Sequence, residues 1–406
     1  MDTTFYAMSG QSFTAQETRI TELEQQLSSG RKVDTAAADP AAYTGAQEDN
    51  STVQKLDAMN ASQVNIKQTL GSATTALGDV STALNHINSI ALQAMNATTS
   101  GADFHALGDQ VEAGLHQILS LANTQSSNGN YVFSGTAKQT QPFIQTTSGS
   151  VNYVGNDGTS SVEISPGVTV NAALSGSIFT KVSTGNGYAS VSATSSNSGA
   201  STLVASGVVD ASAAMAFHDG TSPITVGFST LADGSKSYTA TSGGTTIATG
   251  PVDDTEGADT TLTLEGVQFT FSGQPANGDS FTIAPARPQS IFDLVKQIRT
   301  ALAEPGSTPA ARAQTHQILG NALGSLTGYQ HQISGASAKV GVILQATNTA
   351  ANANTQASTN AQTDASNLVS ANIPKVLTEL QDRTSALQAA MKAFSVASQL
   401  TLFKYL

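Results

Sequence analysis

The side chains best placed to carry chemistry in this sequence are six histidines, at 86, 105, 116, 218, 316 and 331, and the acidic run Asp253-Asp254-Thr255-Glu256-Gly257-Ala258-Asp259. The histidines show no metal-ligand spacing, and most fall within helical patterns, where a lone imidazole is a surface or satisfied core group. An EF-hand register from Asp253 needs Gly at 258 and Glu at 264, and it meets Ala258 and Leu264. The run reads as an acidic, solvated loop. No P-loop, G-x-S-x-G elbow, HExxH or dinucleotide-binding glycine pattern occurs. The absence of cysteine removes disulfides, thiolate metal sites and cysteine nucleophiles together. The residues therefore predict no enzyme, no metal and no cofactor.

Charge narrows the partners. A formal net charge of −12 argues against nucleic acid, which needs clustered Lys and Arg. No stretch approaches the roughly 18 apolar residues of a membrane span. The start Met1-Asp2-Thr3-Thr4-Phe5-Tyr6 lacks a basic region followed by an apolar run, so no cleaved secretory signal is expected.

Composition separates three segments. Residues 1–150 hold 11 Leu, 151–280 hold 5 and 281–406 hold 13, while 58 of the 130 middle residues are Gly, Ser or Thr. Net charge is −7, −9 and +4 in turn. The two Leu-rich ends are opposite in sign, which favours their packing on each other, modestly, since exposed ion pairs contribute ~0–1 kcal/mol each.

The elements follow from periodicity. Stepping three then four from Leu56 gives Leu56, Met59, Gln63, Ile66, Leu70, Ala73, Leu77, Val80, Leu84, Ile87, Ala91 and Ala94, eleven of twelve apolar. That is a coiled-coil seam, and a helix from about 50 to 96 would be roughly 70 Å long. A second helix carries Leu107, Val111, Leu115, Ile118 and Leu121. The C-terminal segment answers with Ile318, Leu323, Leu326, Ile333, Val340 and Leu344, then Ile373, Leu377, Leu380, Leu387, Met391 and Phe394. Gly30 suits a left-handed helix end, Asp39-Pro40 an N-cap with Pro at the first helical position, and Pro305 and Pro309 break a helix that begins near Ser290.

The middle reads as strands. Val151–Val154, Asn156-Asp157-Gly158 and Ser161–Ser165 predict a hairpin, as do Phe228–Leu231, Asp233-Gly234 and Tyr238–Thr241. Leu262, Leu264, Val267, Phe269 and Phe271 alternate around Gly266. The predicted class is α+β: long antiparallel helical coiled-coil or bundle arms formed by both termini, with an inserted small β-rich domain.

Several runs then resemble the flagellin superfamily. Gln25-Gln26-Leu27-Ser28-Ser29-Gly30-Arg31-Lys32-Val33 with Asp39-Pro40-Ala41-Ala42 is similar to its N-terminal signature. Leu121-Ala122-Asn123-Thr124 leading to Gly129-Asn130-Tyr131-Val132-Phe133-Ser134-Gly135 resembles the motif ending its second long helix. Phe271 to Phe281, with Gly273-Gln274-Pro275 and Gly278-Asp279, and the tail Ser398 to Leu406 resemble the hook–filament junction members more than flagellin itself. The likeness covers about 1–145 and 265–406.

The resemblance implies a structural, axial subunit of the bacterial flagellum, exported without a cleaved signal peptide and located outside the cell. It implies terminal coiled-coil arms at 1–45 with 362–406, a rod bundle at 46–145 with 286–361, and an outer β domain at 146–285. Implied partners are further copies of the chain in a ring or helical layer, hook-associated protein 1, flagellin and an export chaperone. The expected assembly interface is Ile20, Leu23 and Leu27 with Leu377, Leu380, Leu387, Met391, Phe394, Leu402 and Phe403. These stripes are expected to lack partners in the free chain and to order on assembly through head-to-tail contacts. Alternatives are flagellin itself, or a surface adhesin acting through the β domain.

Overall fold

The computed structural model describes residues 3–96, 101–253, 255 and 257–402, and the side chains of those between 7 and 396. Helices α1 (Thr3–Ser29), α2 (Pro40–Ala94) and α3 (Gly101–Ala122) precede a strand-rich stretch, and α5 (Ile291–Ala303), α6 (Pro309–Val369) and α7 (Ile373–Leu402) follow it. The chain divides into two compact units. One contains residues 1–62, 164–166 and 349–406, and the other 63–163 and 167–348. Helices α2 and α6 run unbroken through 45/46 and 361/362.

Helix α2 starts where its punctuation says. The Asp39 Oδ1 accepts the Ala42 N–H at 3.0 Å, and Pro40, which has no N–H to lose, takes the first helical position. The stripe from Leu56 to Ala94 is buried at every position except half-buried Met59, its one polar member Gln63 included. A 3.5-residue repeat keeps one face turned inward over that length. Helix α3 packs on α5, where the Arg299 guanidinium meets the Glu112 carboxylate at 2.9 Å.

Helix α6 keeps part of its expected stripe. Ile318, Leu323 and Leu344 are half-buried, whereas Leu319, Ala322, Leu326, Tyr329, Ile333 and Val340 are buried. The first half of α6 is covered on two sides, so Gln317 and Ser325 are buried as well.

That second side is the β domain. A five-stranded antiparallel sheet has the order β10 (Thr245–Val252), β9 (Lys236–Ser242), β8 (Ile224–Thr230), β13 (Ser280–Pro285), β6 (Ala189–Ala193). A three-stranded sheet has the order β11 (Asp259–Leu264), β12 (Val267–Gln274), β7 (Ala200–Val208). Their inward residues form one core that includes Leu203, Phe228, Phe269, Phe271, Phe281 and Ile283, with Phe228 stacked on Phe271 at 4.5 Å. The β8–β9 and β11–β12 hairpins form as the alternation predicts, with Gly234 (φ 88°) and the pair Glu265 (φ 48°) and Gly266 (φ 74°) in their turns.

The predicted pairing of Val151–Val154 with Ser161–Ser165 does not form. Strand β2 (Val151–Tyr153) pairs with β1 (Phe143–Gln145), and β3 (Ser161–Ser165) pairs with β4 (Val168–Asn171). A two-residue type I′ turn needs positive φ at both central residues, and neither Asp157 nor Gly158 adopts it. The Asn156 Oδ1 instead accepts from the Thr136 and Gly158 N–H groups, both at 3.0 Å, and ties the segment to the loop after α3. The middle is also not all strand. Helix α4 (Ala211–Asp219) is capped by the Asp210 Oδ1, which accepts the Ser212 and Ala213 N–H groups, and the Arg287 guanidinium donates to the His218 and Gly220 carbonyls at its far end.

Candidate assembly interface

Helices α1 and α7 pack along each other in the first unit. Leu23 is 1% exposed and Leu387 8%, while Ile20, Leu27, Leu380 and Phe394 are half-buried. Phe13 meets Phe394 edge to face, with ring centroids 5.6 Å apart. The α7 seam thus runs Val376, Leu380, Leu387, Phe394, at the spacing of one heptad stripe. Val376 and Phe13 were not among the predicted residues, although Val376 continues the spacing four residues before Leu380.

Within one chain the two stripes pack against each other. What the pairing leaves uncovered is a different row. Leu377 is 43% exposed and Met391 46%, two heptads apart on α7, with Ile373 at the start of the helix also exposed and Met8 70% exposed on α1. Leu402 ends α7 with its side chain outside the described set, and Phe403 lies outside the described residues.

The charge argument works through individual pairs rather than net sign. Arg19, from the acidic N-terminal segment, bridges Glu22 at 3.0 Å and Glu379 of α7 at 3.1 Å, the reverse of the net polarity. Hydrogen bonds to Glu22 and Glu379 hold the guanidinium above its ordinary value. Each pair is solvent-facing and orients more than it stabilises.

The N-terminal signature has a structural task. Gly30 adopts φ 70° and closes α1, its N–H donating to the Gln26 carbonyl at 2.9 Å. The chain then runs beside the end of α6. The Lys32 N–H donates to the Val369 carbonyl at 2.7 Å, the Lys32 Nζ to the Asn367 carbonyl at 2.9 Å, and the Ala371 N–H to the Gly30 carbonyl at 2.9 Å. The α1–α2 connection therefore caps α6, whose last carbonyls have no partner of their own. Val33, Ala46, Ala365 and Val369 close a small core beneath it.

Among the described residues no three His, Cys, Asp or Glu side chains converge on a metal position, and no helix is long and apolar enough to cross a membrane. His86, His105, His116 and His331 are exposed and scattered. Burial and the neighbouring Arg312 lower the pKa of His316. A half-open groove of about 610 Å³ in the second unit has apolar walls at Leu77, Phe133 and Ile343 and ionisable groups at Asp157, Lys181 and Lys339. There Lys181 holds Asp157 at 2.7 Å. In the acidic run, the Thr255 side chain and N–H lower the Asp253 pKa; Asp254 and Glu256 lie outside the described residues.

The family profile of the bacterial flagellin N-terminal helical region matches residues 4–138. Flagellar hook-associated protein 3 of Escherichia coli (strain K12) is 28% identical over 127 residues, 30% of this chain and 38% of that protein. The match thus spans under half the length of this curated relative. Among solved structures, flagellar hook-associated protein 3 of Legionella pneumophila has a TM-score of 0.72 at 23% identity, covering 79% of this chain and 98% of that one. FlgL of Xanthomonas campestris has a TM-score of 0.69 at 26% identity, covering 78% and 99%. The chain is similar to these proteins over those stretches and shares the fold of the two solved structures, with long N- and C-terminal helices and an inserted antiparallel β domain.

Proposed function

We propose that this chain is a structural subunit of the bacterial flagellum, set at the hook–filament junction as an adaptor between hook-associated protein 1 and flagellin. The observation that carries the reading is the apolar row left uncovered on the α1–α7 pair. Ile373, Leu377 and Met391 are exposed on α7, Met8 is exposed on α1 where it lines a hollow with Phe13 and Phe394, and an arm that shows such side chains to water is built to lay them against another subunit. The likeness to hook-associated proteins supports the place of that contact in the flagellum. Ile20, Leu23, Leu27, Leu380, Leu387 and Phe394 are read as internal to the rod, and Leu377 and Met391 as the contact itself.

The same reading has the chain exported without a cleaved signal, escorted by a flagellar export chaperone, and acting without catalysis. Electron microscopy of cells lacking the protein tests it: hooks without filaments, with flagellin released to the medium, are expected. Filaments of normal number and length on such cells overturn it. The flagellin profile match also favours a second reading as the bulk filament subunit. Copy number separates the two, since a junction protein is scarce in isolated flagella and flagellin dominates them.

A further inference from the structure

From Val340 to Thr363 helix α6 has no charged residue. The other helices of the first unit are charged along their exposed faces: α1 carries Glu17 and Glu24, α2 Glu48 and Asp57, α7 Asp382 and Lys392. One face of the uncharged stretch repeats at helical spacing through Thr349, Asn352, Gln356, Thr359, Asn360 and Thr363, all exposed, while Ala350, Asn354, Ser358, Ala361 and Ala365 on the opposite side are buried.

A face meant only for water would be built otherwise. Glu, Lys and Arg favour an exposed helix more than Asn and Thr do. Here the Thr359 and Thr363 hydroxyls are spent on their own helix, donating to the Thr355 and Thr359 carbonyls at 2.9 and 2.8 Å, which leaves their methyl groups outward. Gln356 Nε2 donates to Asn360 Oδ1 at 3.0 Å, so the pair keeps an acceptor at Gln356 and donors at Asn360 for a neighbour.

We infer that this face of α6 is a contact between copies of this chain. The inference rests on the proposed role as a flagellar subunit and names one of its interfaces. Copies that each carry a net charge of −12 repel, and they approach at least cost where a face bears no charge. A surface of paired amides and methyl groups suits such an approach. From 349 to 363 the strip is about 21 Å long, and at a helix width of about 10 Å it offers roughly 200 Å², a quarter of the ~800 Å² per partner of a stable pair. Two free copies are not held by it. An array that gives each copy several neighbours is.

The test uses the full-length chain in cells, with a photo-crosslinking benzoylphenylalanine at position 356, followed by isolation of flagella. Irradiation is expected to give covalent dimers of this chain. Because the chain has no cysteine, Gln356→Cys introduces a single thiol, expected to react with maleimide at least tenfold more slowly in isolated flagella than in the free protein. Crosslinks to other proteins only, or a thiol equally reactive in both states, overturn the inference while leaving the flagellar role intact. Absence of the chain from the flagella overturns both. The variant Q356E, whose single glutamate favours helix and has no like charge one turn away, is expected to keep the melting temperature of the free chain and to lose incorporation at least tenfold. Incorporation equal to that of the parent chain overturns the contact.

Discussion

Gln317 and the backbone of Leu203 exchange two hydrogen bonds. The Leu203 N–H donates to Gln317 Oε1 at 2.8 Å, and Gln317 Nε2 donates to the Leu203 carbonyl at 2.7 Å. One side chain on α6 thereby does for the edge strand β7 what a neighbouring strand would do. Asn321 repeats the exchange with Val191 on β6, the edge of the other sheet, and one turn further the Gly185 N–H donates to Ser325 Oγ at 2.9 Å. Spacing of four residues puts all three on one helix face, so α6 holds both sheet edges at once.

Replacing Gln317 by Leu keeps the volume and strands two buried backbone groups. Each orphaned group costs about 1–3 kcal/mol, so Gln317→Leu should lower the stability of the second unit by about 2–6 kcal/mol in chemical denaturation. A loss under ~0.5 kcal/mol would mean that water replaces the carboxamide at no cost.

The seam and the uncovered row on α7 respond differently to the same change. Leu387→Asp buries a charge between α1 and α7 and should open trypsin cleavage at Arg19 and Arg383 in the free chain. Leu377→Asp puts the charge on the exposed side, should leave that cleavage unchanged, and should still abolish filament attachment. Filaments on Leu377→Asp cells would remove the exposed row from the interface.

Gly30 has open space around it, but its φ of 70° is unfavourable for any residue with a Cβ. Gly30→Ala should cost about 1–2 kcal/mol. Lys32→Met keeps the backbone contact and loses the ammonium at the helix end, about 0.3–1 kcal/mol. Hydrogen exchange of the amides from Ser370 to Val376 should quicken in both variants, and more in Gly30→Ala.

The loop at Asp157 is sensitive to acid. Hydrogen bonds from Lys181 and Ser175 hold the carboxyl below its ordinary value of 3.8. A depressed folded-state value means that the tie is fully present above pH 3.8 and is lost as pH falls through the lower, folded-state value. Protection of the Gly158 and Thr159 amides, measured against their intrinsic exchange rates, should fall across that window in the parent chain. In Asp157→Asn the protection should already be low at neutral pH and show no step across the window.

Much of this was legible in the residues because long helices repeat their evidence. The α2 stripe recurs often enough that a single polar member, Gln63, does not obscure it, and the caps at Gly30 and Asp39 have a local cause. Pairing at a distance left weaker marks. Asn156-Asp157-Gly158 carries the composition of a hairpin turn, yet Phe143, fully buried, draws β2 to β1 instead. Leu377 and Met391 are as apolar as Val376 and Leu387. Only the direction from which α1 approaches separates seam from open row, and no spacing within α7 encodes it. The expected stripe on α6 is buried only in part for a related reason: Leu326, Ile333 and Val340 keep it, while the polar Gln317, Asn321 and Ser325 form a second covered face that grips the sheets. Helix α4 was missed although Asp210 and the alanines after it were its signal.

The cap that Lys32 places on the end of α6 joins residues 335 positions apart. Closing a loop of that length costs roughly 5 kcal/mol in chain entropy. The contact also has no second half until nearly the whole chain exists. A chain delivered N-terminus first, from a ribosome or through a channel, has nothing for its signature segment to grip until α6 arrives. The order of residues along the chain therefore makes this lock a late step of folding, with no separate switch required.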